Sequence, residues 1–212
     1  MGRGMESAFP RRAGVETQGP YASVGAIDWR RWVPQQRATL LFVVRCGHVL
    51  LIHKKRGLGA GKINGPGGRI EPGETPRRAA IREVREELLV TPLGVRKSGE
   101  LFFQFTDGLS IHGHVFRADN CRGEPQETAE ATPVWAPLGR LPYGRMWEDD
   151  AYWMPLMLNR IPFRGYFVFD GDRMLDRRIE TDRAGRPPDA STSSPYRHRI
   201  RVLYRQGRAQ RP

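Results

Sequence analysis

Three glutamates, Glu83, Glu86 and Glu87, lie close together in a stretch whose residues favour a helix. At about 100° per residue their side chains share one arc of the helix surface, where neighbours spaced i, i+3 and i, i+4 repel one another. A divalent cation would turn that repulsion into binding, and anionic oxygen ligands favour Mg²⁺, with Mn²⁺ as an alternative. A solvated acidic helix face is the simpler interpretation, and the three glutamates alone do not exclude it.

Local signals predict the helix that carries these glutamates. Thr75 is the N-cap, and Pro76 stands at the first helical position, where its missing N–H costs nothing. The range Ala79–Leu88 contains good helix formers and neither glycine nor proline. The helical period predicts that the buried stripe consists of Ala80, Ile81, Val84 and Leu88.

The spacing around the helix follows a longer pattern: Gly68, five residues, Glu74, seven residues, and then REVREELLV from Arg82. This pattern resembles the Nudix box, a loop–helix–loop that binds metal and hydrolyses nucleoside diphosphates linked to another group. One position departs from it, because Leu89 stands where the family has a glycine that usually allows a left-handed turn after the helix. The geometry of the helix end is therefore left open by the sequence.

The resemblance continues outside the box, from about Ala38 to Asp176. It extends to Nudix hydrolases that act on oxidised purine nucleoside triphosphates such as 8-oxo-dGTP. The segments that carry it are KKRGLGAGKINGPGG before the box, then GELFFQF, HVFRAD, Glu130, MWEDDAYWMPLML and FRGYFVFDG after it. It implies an α+β fold, a Nudix-type α/β/α sandwich with a mixed sheet, and strands mixed irregularly with two helices favour the same class.

Several residue types suit recognition of a purine base. Trp147 offers a flat face for stacking, and Asn64 carries both a donor and an acceptor. Asp149 and Asp150 are adjacent, and in an apolar pocket one of them would keep its proton and donate it. Phe103 alternates with Phe105 along a predicted strand, so that both can form one wall.

Each of these residues also has a simpler interpretation. Trp147 can be a core aromatic, Asp149 and Asp150 can cap the following helix, and Asn64 before a glycine can make a turn. The family resemblance favours the functional interpretation. It implies a nucleotide pocket lined by Thr39, Lys54, Asn64, Phe103, Trp147, Asp149 and Asp150.

The reaction that the resemblance implies is hydrolysis of a modified purine nucleoside triphosphate to the monophosphate and pyrophosphate. The candidate metal ligands are Glu83, Glu86, Glu87, the carbonyl of Gly67 and Glu130. One of the box glutamates or Glu130 activates the attacking water, and Glu127 is a second choice. Arg82 is predicted to orient a box glutamate through a charge-assisted bond. The alternatives are another Nudix substrate, such as a capped RNA 5′ end, a dinucleotide or a diphosphoinositol, or a non-catalytic nucleotide- or RNA-binding module.

The pocket also departs from the family pattern where Leu58, Ile63 and Pro66 replace aromatic residues. The preferred modified base, and the choice between deoxyribose and ribose, stay open. The sequence does not assign the general base among the carboxylates.

Composition divides the chain of 212 residues into three parts. We expect a flexible arm at residues 1–36, a Nudix hydrolase domain at 37–180 and a basic tail at 181–212. The tail has eight arginines against two aspartates, which gives a net charge of +6 out of +12 for the chain. Such a tail attracts polyanions, so contact with nucleic acid is conceivable, although a solvated tail is the simpler interpretation.

Two cysteines without a motif favour a reducing compartment, and no apolar run is long enough to span a membrane. The N-terminus lacks the apolar core of a signal peptide. We therefore expect a cytoplasmic protein, working as a monomer. Apolar runs and turn signals predict strands at 39–45, 48–54, 93–106, 110–117, 133–136 and 165–169, and a second helix at 149–160.

Overall fold

The computed structural model describes residues 21–181, and the first twenty residues and the basic tail after Thr181 lie outside them. Two α-helices and ten strands are the main elements of the described part. The helices are α1 (Pro76–Leu88) and α2 (Asp150–Leu158). The strands are β1 (Gln36–Arg45), β2 (His48–Lys54), β3 (Ile63–Asn64), β4 (Thr91–Leu93), β5 (Arg96–Phe105), β6 (Ser110–Ala118), β7 (Asn120–Arg122), β8 (Ala131–Pro137), β9 (Phe163–Asp170) and β10 (Arg173–Thr181).

The main sheet is mixed, with the order β10-β9-β5-β6-β1-β2-β3, and β8 also pairs with β2. The β1–β6 and β5–β9 pairs are parallel, and the other pairs are antiparallel. Strands β4 and β7 form a separate two-stranded ribbon. The six predicted strands are confirmed, while the short strands β3, β4 and β7 and the longer β10 were not predicted as separate strands.

Strand β1 faces two cores, because successive side chains point to opposite sides of the sheet. Leu41 and Val43 pack with Val84 and Leu88 of α1. Phe42, on the other side, packs with residues of α2, namely Trp153, Met154 and Met157. The sheet is thus covered by a helix on each face, and the α/β/α sandwich is confirmed.

Helix α1 begins and ends at the predicted residues. Thr75 Oγ1 accepts a hydrogen bond from the backbone N–H of Arg78 at 3.3 Å, and Pro76 is the first helical residue. Leu89 takes the left-handed conformation, with φ of 58°, and its N–H donates to the carbonyl of Arg85. Leu89 therefore makes the left-handed turn that a glycine would make with less backbone strain. Its side chain is exposed.

The second half of the predicted flexible arm is packed against the sheet. Val24 and Ile27 are buried, and Trp29 and Trp32 lie against β5 and β9. Trp32 Nε1 donates to Gln104 Oε1 at 2.9 Å, and the N–H of Val24 donates to Asp176 Oδ2 at 2.9 Å. The prediction of a flexible arm is corrected for residues 21–36, because burial of these apolar side chains holds the segment on the sheet.

Candidate nucleotide-hydrolysis site

Glu87 is the most deeply buried of the three helix glutamates, with a side chain 1% exposed. Its Oε2 accepts a hydrogen bond from the N–H of Gly67 at 2.8 Å, and its Oε1 lies 3.3 Å from Lys54 Nζ. Burial raises the pKa of this carboxyl, and the charge of Lys54 opposes the rise. Because Lys54 offsets the effect of burial on the Glu87 carboxylate only in part, a further cation beside this carboxylate would be favourable.

Gly67 makes this contact possible through its own geometry. Its φ is 155°, and a Cβ at this position would lie 2.0 Å from the carbonyl oxygen of Thr39. No larger residue fits between β1 and the buried Glu87 without moving the backbone. The missing side chain therefore lets the Gly67 backbone approach Thr39 closely while its N–H donates to Glu87.

Arg82 links the remaining acidic residues of the helix and loop. Its guanidinium forms a two-pronged pair with Glu74 at 3.0 and 3.2 Å, and contacts Glu83 at 2.7 Å and Glu86 at 3.0 Å. It also donates to the carbonyl of Arg69. The hydrogen bond from Arg82 lowers the pKa of Glu74. The predicted contact between Arg82 and the box glutamates is present.

Glu83 lies between Arg82 and the glycine loop. A Cβ at Gly68 would lie 2.4 Å from Glu83 Oε2, so the loop backbone passes directly over the carboxylate. Burial raises the pKa of Glu83, and Arg82 opposes the rise. Glu86 is 58% exposed. The candidate ligand atoms on α1 are therefore all carboxylate oxygens, from Glu87, which is buried, Glu83, which is partly buried, and Glu86, which is exposed. Oxygen ligands of this kind fit Mg²⁺ or Mn²⁺.

Glu130 is tied to the same region through its backbone. Its carbonyl accepts from the N–H of Lys55, and its N–H donates to Thr128 Oγ1, which itself donates to the carbonyl of Glu87. The Glu130 carboxylate pairs with Arg56, and the Glu127 carboxylate pairs with Lys55. The Glu130 carboxylate is thus paired with Arg56, while the Glu130 backbone is joined to that of Glu87 through Thr128.

Asn64 and Trp147, two of the residues predicted to read the base, lie beside the loop at 55–62 between β2 and β3, called the Gly59 loop. Asn64 Nδ2 donates to the carbonyl of Gly59 at 3.3 Å, and a Cβ at Gly59 would lie 2.9 Å from both Asn64 Nδ2 and Trp147 Nε1. Lys62 Nζ lies 5.0 Å from the centre of the Trp147 ring. The loop thus packs against the indole. Two open clefts of about 510 and 210 Å³ lie elsewhere, both lined in part by Arg117, Asp119 and Arg160.

An aromatic wall continues from Trp147 into the sheet. Phe169 lies 5.6 Å from Trp147, 5.5 Å from Phe105 and 6.2 Å from Phe103, measured between ring centres. Phe103 and Phe105 face the same side, as their alternation predicts. Phe169 was not singled out in the sequence, although its place in an alternating aromatic strand was the available signal.

Asp149 and Asp150 are both buried, at 2% and 7% exposed. Asp149 Oδ2 accepts from Trp153 Nε1 at 2.8 Å, and Asp150 Oδ2 accepts from the N–H of Trp147 at 3.2 Å. Burial raises the pKa of Asp149 to about 7, and burial together with Asp149 raises the pKa of Asp150 well above its usual range. At neutral pH the pair is not doubly ionised, so it can donate as well as accept.

Similarity to known proteins identifies the family. The family model described as the NUDIX domain matches residues 34–157. The chain belongs to the Nudix family. Over 144 residues it is 44% identical to a zebrafish protein named oxidized purine nucleoside triphosphate hydrolase, covering 67% of this chain and 92% of that protein. The mouse protein of the same name is 40% identical over 139 residues, covering 65% and 89%.

Among solved structures, a MutT protein from Bacillus halodurans superposes with a TM-score of 0.60 at 25% identity, covering 68% of this chain and 97% of that one. The Nudix fold is thus shared over nearly the whole of that protein. No helix in residues 21–181 is both long enough and apolar enough to cross a membrane.

The Nudix fold separates the predicted pocket residues into two groups. Lys54 contacts Glu87, and Thr39 shares its sheet face with Leu41, which packs on α1. Asn64, Phe103, Trp147, Asp149 and Asp150 lie on the α2 side or beside the Gly59 loop. Lys54 was predicted to line the nucleotide pocket, and its pairing with Glu87 could not be found from the sequence because the two are 33 residues apart.

Proposed function

We propose that this Nudix protein hydrolyses modified purine nucleoside triphosphates, such as 8-oxo-dGTP, to the monophosphate and pyrophosphate. The observation that carries the proposal is the pair of buried, raised-pKa aspartates next to Trp147, in a chain whose box glutamates are all present. The names of the zebrafish and mouse relatives support the same substrate class.

Base recognition rests on Asn64, Trp147, Asp149 and Asp150. A protonated aspartate donates to an acceptor on the purine edge while its partner accepts from a donor, and the amide of Asn64 bonds another edge. Stacking on Trp147 contributes about 1–3 kcal/mol. Lys62 Nζ lies over the Trp147 ring, 5.0 Å from its centre, and a stacked base would take its place.

For hydrolysis, we propose Glu83, Glu86 and Glu87 of α1 as the Mg²⁺ ligands, close to Lys54 at the end of β2. The carbonyl of Gly67 and the Glu130 carboxylate are further candidates. Bound Mg²⁺ would neutralise negative charge on the phosphate oxygens. Arg82 holds Glu83 and Glu86 in place, and one of the four carboxylates accepts a proton from the attacking water.

We further propose a cytoplasmic, monomeric enzyme that removes damaged nucleotides from the pool before they enter DNA. Free thiols at Cys46 and Cys121 are in keeping with a reducing compartment. Contact of the basic tail with nucleic acid stays a prediction, since the tail lies outside the described residues.

A nucleotide panel tests the proposal. The purified protein is incubated in Mg²⁺ with 8-oxo-dGTP, an oxidised adenine nucleotide, an alkylated guanine nucleotide, dGTP and capped RNA, and the products are separated. We expect a modified purine nucleotide to be cleaved fastest, with release of pyrophosphate. Preferred cleavage of capped RNA, or release of orthophosphate from the nucleotides, would contradict it.

A further inference from the structure

A cluster of two histidines and one glutamate lies on the main sheet, apart from the box glutamates. His112 and His114 stand on β6, and Glu100 is the cross-strand neighbour of His114 on β5. One ligand atom from each of the three side chains lies within 4.8 Å of the others. His112 Nε2 is 3.9 Å from Glu100 Oε2, and His114 Nδ1 is 3.8 Å from Glu100 Oε1.

The cluster lies on the α1 face of the sheet, between that helix and the docked N-terminal segment. His114 is level with Thr39 of β1, and Phe116, two residues further, packs in the α1 core. His112 stacks on Phe102 at 4.5 Å, and Phe102 in turn contacts Trp29 and Trp32. Stacking against a packed aromatic residue holds the His112 ring in one orientation.

Two ring nitrogens that face the carboxylate are buried without a hydrogen-bond partner among residues 21–181. They are His112 Nε2 and His114 Nδ1, and the whole of His114 is 6% exposed. A buried polar atom without a hydrogen-bond partner destabilises the fold unless a ligand satisfies it. Two such atoms aimed at one carboxylate, at distances too long for hydrogen bonds, favour a ligand between them.

We propose that Glu100, His112 and His114 bind a divalent transition-metal ion of the zinc class. Two imidazole nitrogens and one carboxylate oxygen are a common ligand set for Zn²⁺, and they leave a fourth position open to water or another ligand. The nitrogen donors distinguish this site from the all-oxygen donor set on α1, which favours Mg²⁺. In a filled site the three donor atoms would move to about 2.0–2.2 Å from the ion.

Three cations surround the cluster and compete with a metal for its donors. Lys97, on the strand of Glu100, pairs with Glu100 Oε1, and Arg164 of β9 lies 3.7 Å from Glu100 Oε2. Arg37 of β1 lies 3.5 Å from His114 Nε2. All three side chains are largely exposed, so each can turn into solvent when the metal binds. Removing Lys97 should therefore tighten metal binding.

Cobalt is the probe, because its visible absorption reports nitrogen coordination directly. Tag-free protein is stripped with a chelator and titrated with Co²⁺, and then with Zn²⁺ in competition, in an excess of Mg²⁺ that occupies the carboxylates of α1. We expect each chain to bind one Co²⁺ ion tightly. We expect the affinity to fall at least tenfold in His112→Asn and in His114→Ala, and to rise severalfold in Lys97→Met.

Matched variants separate this site from other metal ligands. His48→Ala removes an exposed imidazole near Cys46, and Glu87→Gln alters the α1 carboxylates. Both variants should still bind one Co²⁺ ion tightly. Zn²⁺ should raise the melting temperature of the parent protein but not that of His112→Asn, which also serves if His114→Ala fails to fold. Unchanged affinity in both histidine variants, or loss of the tightly bound Co²⁺ ion in His48→Ala, would overturn the proposal.

Discussion

The protein contains two groups of neighbouring carboxylates, and their surroundings differ. Glu83, Glu86 and Glu87 lie on α1 beside two cations, Arg82 and Lys54, which favour the ionised form. Asp149 and Asp150 lie at the start of α2, where Trp153 Nε1 donates to Asp149 and the backbone N–H of Trp147 donates to Asp150. Burial raises the pKa values of Glu83, Glu87, Asp149 and Asp150, and within residues 21–181 positive charge opposes the rise at the two glutamates.

The difference shows how one residue type can perform two tasks in one domain. A carboxylate that stays ionised beside arginine and lysine can hold a metal ion or accept a proton. A carboxyl group that burial keeps protonated can donate a hydrogen bond to a base. Substitutions that remove the charge of Glu87 or the titratable proton of Asp149 therefore separate the two tasks.

The largest effect is expected from neutralising the first group. Glu87→Gln removes a buried charge from the proposed metal site, and turnover with 8-oxo-dGTP in Mg²⁺ should fall by at least about two orders of magnitude. The variant should stay folded, because glutamine can still accept from the N–H of Gly67. Steady-state kinetics and circular dichroism check both points.

Glu124→Gln is the matched control, since Glu124 is 83% exposed and pairs with Arg45. It should leave turnover unchanged. Near-normal Mg²⁺-dependent hydrolysis in both Glu87→Gln and Glu86→Gln would defeat the assignment of the metal site to α1.

A smaller effect is expected from the second group, on selectivity. Asp149→Asn keeps an acceptor for Trp153 but can no longer change its protonation state. The preference for 8-oxo-dGTP over dGTP should shift by about 1–3 kcal/mol, the usual range for an unpaired buried polar group. In the parent protein the preference should decline as pH rises through about 7, as Asp149 ionises, and this decline should be absent from the variant. A selectivity ratio that is the same in both proteins would mean that the base is read elsewhere.

The same carboxyl group links stability to pH. Its pKa is about 7 in the folded protein, against about 3.9 in an unfolded chain, so the folded state holds more protons between these values. The contribution of Asp149 to the free energy of unfolding should therefore be complete below pH 4 and be lost as pH rises to about 7. Denaturant titrations of the parent and Asp149→Asn should diverge over this window, with the variant relatively more stable at the higher pH.

The smallest effect is expected outside both groups, at the end of α1. Leu89→Gly should stabilise the fold by about 1 kcal/mol, because glycine adopts the left-handed conformation at little cost and the leucine side chain is 57% exposed. Leu93→Gly is the control: Leu93 is also exposed but lies in β4, and the change should destabilise. Urea unfolding measures both, and a loss of stability in Leu89→Gly would show that the leucine makes contacts that outweigh the strain.

Local signals in the sequence were sufficient for the start of α1, at Thr75 and Pro76, and for most of its buried face. The buried stripe was predicted with Ile81, which is only partly buried, whereas Glu87 is buried although the acidic arc was expected to be accessible. The conformation of Leu89 could not be predicted, because the residue type opposes the turn that the loop requires. The place where Trp29 and Trp32 dock could not be predicted from the sequence, since it depends on Phe102 and Tyr166, which are at least 70 positions away. The pairing of Lys54 with Glu87 depends on the packing of β2 against α1 in the same way.

The central claim is that the buried aspartates Asp149 and Asp150 select damaged purine nucleotides for hydrolysis at the proposed metal site on α1. The most direct test is kcat/KM for 8-oxo-dGTP and for dGTP, measured side by side in Mg²⁺ at pH 6.5, below the pKa of Asp149 (about 7). The account predicts a value at least about tenfold higher for 8-oxo-dGTP, which corresponds to about 1.4 kcal/mol. Equal values for the two nucleotides would contradict it.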